Sequence, residues 1–213
     1  MRSWIRSALI VITSGMLLGS GPQDCQQPEP SGFPATGQTT CWNTAGAVIP
    51  CAGTDHDGAI QAGATLSYVD NGDGTITDIN TGLMWEKLSD DGSIHDWNNL
   101  YTWTDAFAVK IAVLNARSGF ASHKDWRVPN VKELISIVNM QNFVPAVSAA
   151  FNLRCTPGCT VTSCSCTQSD FYWSSSSYAF FPNDAWTVAF RVGNSYANFK
   201  TYNLYVRAVR GGL

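Results

Sequence analysis

The spacing of the cysteines in this sequence distinguishes between disulfides and a metal site. Of the seven, six fall into two groups, a pair ten positions apart and a cluster of four within twelve residues. These six are Cys41, Cys51, Cys155, Cys159, Cys164 and Cys166. In an exported chain such groups favour disulfides, and the paired C-x2-C spacing of a zinc site is missing. We expect three disulfides and no metal, with Cys25 left free or joined to another chain.

Three aspartates invite a calcium interpretation, because Ca²⁺ prefers carboxylate ligands. Asp70, Asp73 and Asp78 lack the D-x-D-x-D-G order of an EF-hand loop and its closing glutamate. The Asn-Gly and Asp-Gly pairs within residues 70–74 supply the positive φ angles that tight turns need. The segment therefore predicts turns rather than an ion site.

Catalytic residue types are present, but not in catalytic patterns. The three histidines lie far apart, the serines at 174–177 lack G-x-S-x-G, and no glycine-rich phosphate loop occurs. Glu86 and Glu133 are the carboxylates considered for an acid/base pair, although helix capping already accounts for Glu133. We predict a non-catalytic chain that needs no cofactor.

The N-terminal residues predict export. Arg2 and Arg6 precede an apolar stretch at residues 8–18, which has signal-peptide length and is too short to span a bilayer. We predict a signal peptide at residues 1–21 and a proline-rich linker at 22–40. The domain is expected to follow at 41–213, with a disulfide-held loop at 41–64 and a core at 65–213. The mature protein should be secreted, periplasmic or at the cell surface, and meet the membrane only during export.

Charge argues against nucleic acid as a partner, because the formal net charge is -3. The charges are also unevenly placed. From Asp55 to Asp105 there are ten acidic residues and one base, Lys87, whereas residues 106–213 carry four acids against ten Lys and Arg. We expect the two halves to neutralise each other within one fold, with Arg127 pairing with an acid of the first half.

The stretch at residues 125–134 organises the elements that must position these side chains. Pro129 ends an extended segment, and Asn130 with Glu133 three residues later forms a capping box. An apolar face at Val131, Leu134, Ile135 and Val138 predicts a helix that ends near Met140. A second amphipathic helix is predicted before it, from the spacing of Phe107, Ile111 and Leu114.

Strand patterns flank the two helices. An N-terminal β-meander is predicted at residues 66–69, 75–78 and 83–85, and an antiparallel sheet at 171–178, 185–192, 195–200 and 204–210. Alternation places Trp186, Val188, Phe190 and Val192 on one face of the second of these strands. The fold class is therefore α+β, with a mainly antiparallel sheet.

An ordered series of motifs resembles a known family. The motifs are residues 36–42, 49–54, 70–78, 82–85, 125–134, 172–175 and 205–212. Together they resemble the C-terminal domain of the Legionella collagen-like adhesin. The resemblance implies a C-type-lectin-like α+β fold on exported bacterial proteins, with surface attachment and glycan binding as the role. Two features of the adhesin, a collagen-like repeat and a dense basic patch, are missing from this sequence. The resemblance therefore does not extend to the trimeric stalk or to sulfated ligands.

Two functions fit these features. The first is attachment to extracellular glycans or other polymers through aromatic side chains, of which the chain has many. The second is a structural or assembly subunit, which could form a homo-oligomer. The proline-rich linker and the unpaired Cys25 suggest this function. A groove is expected where the 125–134 stretch meets the strands around 172 and 186, with Trp126 and Trp186 expected in the core. The candidate ligand-binding residues are Arg127, Tyr172, Trp173, Tyr178 and Tyr196.

The cysteine prediction can be tested by intact mass spectrometry of exported protein after alkylation. Three disulfides leave at most one thiol to be modified. Five reactive thiols, or stoichiometric zinc in the purified protein, would contradict it.

Overall fold

A computed structural model describes residues 32–211, which form an α+β fold of mostly antiparallel sheets and short helices. The predicted fold class is confirmed at this level. The predicted signal peptide, Cys25 and residues 22–31 of the predicted linker lie outside the described residues. No helix between residues 32 and 211 is long and apolar enough to cross a membrane.

The first large sheet has four antiparallel strands in the order β3-β4-β5-β9. These are β3 Tyr68–Asp70, β4 Thr75–Asp78, β5 Met84–Glu86 and β9 Val209–Arg210. The turn after β3 forms as its sequence requires, since Gly72 and Gly74 have φ angles of 77° and 96°. The predicted C-terminal strand is much shorter than expected. It pairs with β5 in this sheet rather than with the strands that precede it in sequence.

The second large sheet has three antiparallel strands in the order β6-β7-β8. They are β6 Phe171–Ser177, β7 Asp184–Ala189 and β8 Asn194–Phe199. The predicted hairpin turn joins β7 to β8, with Gly193 at φ 80°. The prediction of a common face on β7 was partly wrong. Val188 and Phe190 are buried, but β7 ends at Ala189 and Val192 is exposed.

A short N-terminal subdomain precedes both sheets. Strands β1 Cys41–Trp42 and β2 Val48–Ile49 pair with each other, and helix α1 Asp57–Ile60 follows them. Residues near the end of the predicted linker contact the rest of the domain. The side-chain carbonyl of Gln141 accepts hydrogen bonds from the amides of Thr39 and Thr40.

The first of the two predicted helices is not a regular α-helix. It consists of α2 Trp103–Asp105, a π-helix at Ala106–Ile111 and α3 Ala112–Leu114. Thr102 caps its start by accepting a hydrogen bond from the amide of Asp105. A π-helix changes the spacing of inward-facing residues, and Lys110 becomes buried beside Ile111. The 3.6-residue pattern did not predict that position.

The second predicted helix, α4 Val131–Ser136, has the predicted capping box. Asn130 accepts hydrogen bonds from the amides of Lys132 and Glu133, and the Glu133 carboxylate accepts one from the Asn130 amide. The helix ends at Ser136, short of Met140. Leu134 is fully buried, whereas Ile135 is partly exposed, so the predicted apolar face is narrower than expected.

Two hydrophobic clusters lie on either side of β6. The first contains Trp85, Phe151 and Tyr172, and the second contains Trp126 and Trp173. Trp126 is held at three points. Its indole N–H donates to the Phe120 carbonyl at 2.9 Å, and its backbone amide and carbonyl bind the Asn115 side chain. The stretch at residues 125–134, which we call the corner, thus joins the capped helix α4 to the buried ring of Trp126.

Three disulfides are present, as predicted. The short loop closes between Cys41 and Cys51, and the cluster forms the pairs Cys155–Cys166 and Cys159–Cys164. The sequence had left the pairing within the cluster open. Both cluster bridges lie against the first hydrophobic cluster, so they add covalent closure to a packed region.

Substitutions at the corner should separate its two contributions. Asn130→Ala should lower the free energy of unfolding by about 1 kcal/mol through loss of the cap. Trp126→Ala should lower it by about 3–5 kcal/mol, because it removes a buried aromatic ring. Chemical denaturation measures both, and Lys132→Ala on the exposed side of α4 is the control, expected within about 0.5 kcal/mol of wild type. Equal, negligible losses at Asn130 and Trp126 would contradict the importance of this corner.

Candidate functional site

Glu86, one of the two carboxylates considered for catalysis, lies in a buried ion network. Its Oε1 accepts from Lys110 Nζ at 2.5 Å and lies 2.7 Å from His95 Nδ1, and its Oε2 accepts from the Ala208 amide at 3.0 Å. Arg207, also fully buried, donates to the Glu86 backbone carbonyl at 2.8 Å. Because the side chains of Glu86 and Lys110 are at most 1% exposed, neither of these two groups can meet a substrate directly.

The network keeps Glu86 ionised. Burial by itself would raise the pKa of this carboxyl, but the charge of Lys110 and the hydrogen bond and charge of His95 outweigh it and lower the pKa to about 2. Lys110 also donates to the Ile94 carbonyl at 2.6 Å. Removal of one partner from a buried pair of this kind would leave an uncompensated charge, which is strongly destabilising.

Glu133, the other carboxylate considered, is likewise committed to structure. Besides capping α4, it receives both terminal nitrogens of Arg127, at 2.7 Å each. Arg127 also donates to the Gly211 carbonyl at 2.9 Å. The expectation that Arg127 pairs with an acid of the first half was therefore wrong. The pairing of Lys110 with Glu86 does join the two halves.

The aspartates considered for calcium bond to their own turns. Asp70 accepts from the Gly72 amide and from Lys87 Nζ, and Asp73 accepts from the amide and hydroxyl of Thr75. Asp78 accepts from the Asn80 amide and the Thr81 hydroxyl. These contacts support the turn interpretation. Within the described part of the chain, the one group with metal-ligand proximity is Cys155, Cys159 and Cys166, all of which are in disulfides.

A shallow depression of about 360 Å³ lies on the second sheet. We call it the aromatic depression, and its lining residues are Tyr178, Phe181, Asp184, Trp186, Ser195, Tyr196 and Ala197. Three adjacent segments build it: the turn after β6, strand β7 and strand β8. Tyr178 lies at the centre of the ring contacts, with centroid distances of 5.0 Å to Trp186 and 6.0 Å to Phe181. Tyr196 and Phe181 are 58% and 56% exposed.

Two of the five candidate ligand-binding residues lie together in this depression. Tyr178 and Tyr196 both line it because β7 pairs with both β6 and β8. Their rings do not contact each other, and the Tyr196 ring lies 6.2 Å from that of Phe171. Tyr172 and Trp173 must be withdrawn as contact residues, since both are 0% exposed. Arg127 lies outside the depression and is held by Glu133. Trp126 is buried as expected, but Trp186 is half-buried and lines the depression rather than lying in the core.

Two functional candidates in the depression, Phe181 and Asp184, were not predicted from the sequence, and neither was Phe180 beside them. Phe180, 73% exposed, packs against Phe181 at a centroid distance of 4.5 Å, and Asp184 lies among the rings. Two adjacent phenylalanines followed by Pro182 and Asn183 were the available signal, because apolar residues in a turn between strands have no core to enter. Among the described residues that line the depression, Asp184 alone is charged.

The fold and this surface define a disulfide-bridged α+β domain that displays aromatic side chains on one sheet. A family model described as the Lcl C-terminal domain matches residues 74–210. The chain therefore belongs to the Lcl C-terminal domain family, as its motifs suggested. No curated protein matches the chain.

Acid should weaken the fold through Glu86. The pKa of this carboxyl is lower in the folded chain than the ordinary value of 4.5. Its stabilisation is therefore complete above pH 4.5 and is lost as pH falls toward about 2. Urea unfolding of wild type and Glu86→Gln across this range is the measurement. The variant should lose about 3–5 kcal/mol at neutral pH and show a shallower decline in acid.

The matched control is Asp55→Asn, which makes the same chemical change at an exposed residue. Its unfolding free energy should follow that of wild type at every pH. A Glu86→Gln variant with wild-type stability and wild-type acid dependence would contradict the role assigned to the buried network.

Proposed function

We propose that this domain is an exported, non-catalytic binding module that attaches to extracellular glycans or related polymers. The observation that carries the proposal is the aromatic depression, where the rings of Tyr178, Phe181 and Trp186 gather at the surface instead of entering the core. Membership of a domain family named for the Legionella collagen-like adhesin supports an extracellular binding role. By the same relationship we propose that the fold is C-type-lectin-like.

Aromatic rings suit sugars for a physical reason. The faces of pyranose rings carry C–H groups that pack on aromatic faces, and the hydroxyls remain free to bind water or polar groups. Tyr178 and Trp186 keep a fixed mutual geometry, with an angle of 65° between ring planes. A ligand therefore meets a largely preformed surface, which reduces the entropy lost on binding.

Charge favours neutral or weakly charged ligands over sulfated ones. Lys and Arg are not among the lining residues, and the one charged group there is a carboxylate. A sulfated polymer would need clustered basic residues and would be released steeply as salt rises. Stacking on rings is far less sensitive to ionic strength.

Binding can be tested with a glycan array followed by calorimetry on the strongest neutral ligand. Tyr178→Ala should weaken binding by about tenfold, because it removes the central stacking ring. Tyr196→Ala should weaken binding less, because the Tyr196 ring lies toward Phe171. Affinity should change by less than about threefold between about 50 and about 500 mM salt. Tyr202→Ala is the matched control. This tyrosine is 49% exposed but does not line the depression, and its loss should leave the affinity unchanged.

Tight heparin retention that is lost at moderate salt would contradict the neutral-glycan proposal. So would equal weakening by all three tyrosine variants, because that would indicate loss of folding rather than of a binding surface.

The uncovered edge of β8 favours a second candidate function, assembly with other subunits. No described strand pairs with its outer side, and residues 194–199 contain no charge or proline to discourage pairing. An edge of this kind can extend a sheet into a second chain. Light scattering after size-exclusion chromatography distinguishes the candidates. A monomer that binds glycans supports attachment, and oligomers that bind none support assembly.

A further inference from the structure

We propose that the aromatic depression selects sugars that carry a protonated amine, with Asp184 as the group that receives the ammonium. The inference rests on the proposed function, and it names the class of ligand for that surface. It does not require a sulfated or otherwise anionic polymer.

Asp184 lies in an unusual situation for a carboxylate of this chain. Its Oδ1 is buried and accepts no hydrogen bond, and within residues 32–211 its side chain takes part in no ion pair. Elsewhere, partly buried acids are satisfied, as Glu86 is by Lys110 and Glu133 by Arg127. A buried acceptor without a donor is unfavourable. Because Asp184 lines the depression, a ligand bound there can supply the missing donor.

The backbone fixes this carboxylate in place. Asp184 begins β7, where its amide donates to the Phe181 carbonyl at 2.9 Å and its carbonyl accepts from the Tyr178 amide at 3.0 Å. Both partners are themselves lining residues. The charge and the rings that surround it are therefore positioned by the same turn, which is a requirement for a site that recognises a ligand by geometry.

The rings around Asp184 favour a cation over a neutral donor. The faces of Tyr, Trp and Phe rings attract positive charge, and three rings of the depression contact one another, Tyr178 with Phe181 and Trp186. A sugar hydroxyl would satisfy the hydrogen-bonding need of the carboxylate but leave its charge uncompensated. An ammonium group supplies the hydrogen bonds and the opposite charge together.

The nearest basic residue along β8 does not serve as this cation. Lys200 follows the strand, and its ammonium donates to the Ser177 hydroxyl at 2.7 Å and to the Pro182 carbonyl at 2.9 Å. It also lies 4.2 Å from the centroid of the Trp103 ring. These contacts occupy the Lys200 ammonium, which makes no ion pair with Asp184.

Two oligosaccharides that differ only at nitrogen test the proposal. They are a β-1,4-linked glucosamine oligomer and its fully N-acetylated counterpart of equal length. Calorimetry in a slightly acidic buffer, where the free amines are protonated, should show the amine oligomer binding about tenfold more tightly. Asp184→Asn, which keeps the side-chain shape, should reduce that preference to within about twofold while the N-acetylated oligomer binds as before.

Asp55→Asn is the control for net charge, because it removes one negative charge from an exposed position outside the depression. It should keep the full preference. Loss of the preference in this control, or its retention in Asp184→Asn, would overturn the assignment to Asp184. The wild-type comparison needs no variant, so it remains decisive if Asp184→Asn does not fold.

The outcomes also separate this inference from the proposed function. Equal binding of the two oligomers by wild type would overturn the amine preference and leave glycan attachment standing. The amine preference would also be overturned, and glycan attachment would stand, if neither oligomer bound while neutral sugars of the array bound at Tyr178 and Tyr196. No binding to any sugar would overturn both.

Discussion

Four segments of the chain meet at the carboxylate of Glu86, which has no access to solvent. Strand β5 supplies the carboxylate, the π-helix supplies Lys110, the preceding loop supplies His95, and the C-terminal segment supplies the Ala208 amide. Burial of one charge without a partner is strongly destabilising, so each segment is held where its donor reaches Glu86. The π-helix fits this constraint, because its wider turn places Lys110 inside the domain.

Sequence reasoning succeeded where a structure depends on neighbouring residues and failed where it depends on distant ones. The capping box of Asn130 and Glu133 spans three residues, and the glycine turns are shorter still. The pairing of Glu86 with Lys110 spans 24 residues, and the bond from Arg207 to the Glu86 carbonyl spans 121. A lysine in an amphipathic helix is ordinarily exposed, and no local pattern indicates a buried partner. The C-terminal strand was misplaced for the same reason, because its partner β5 is far away in the sequence.

The candidate site shows the same limit at the scale of single residues. Alternation along β6 predicts that one of Tyr172 and Trp173 faces out, yet each enters a different hydrophobic cluster, so both faces of the strand are covered there. Tyr178 lies one residue beyond the end of β6, where the covering layers stop. Aromatic content therefore predicted that some rings lie at the surface. Which rings lie there depends on packing that the sequence pattern does not specify.

The distribution of charge explains why binding and stability are separable in this domain. The ion pair between Glu86 and Lys110 lies in the interior and joins β5 to the π-helix, whereas Asp184 lies at the surface end of β7. Lys110 is fully buried, in a position that is unfavourable without a partner of opposite charge, whereas Asp184 is partly exposed and only its Oδ1 is buried without a donor. The fold supplies that partner for Lys110 and leaves Asp184 without one. The fold thus encloses the pair of Glu86 and Lys110 and leaves the Asp184 carboxylate at the surface, where the proposed ammonium group would bind.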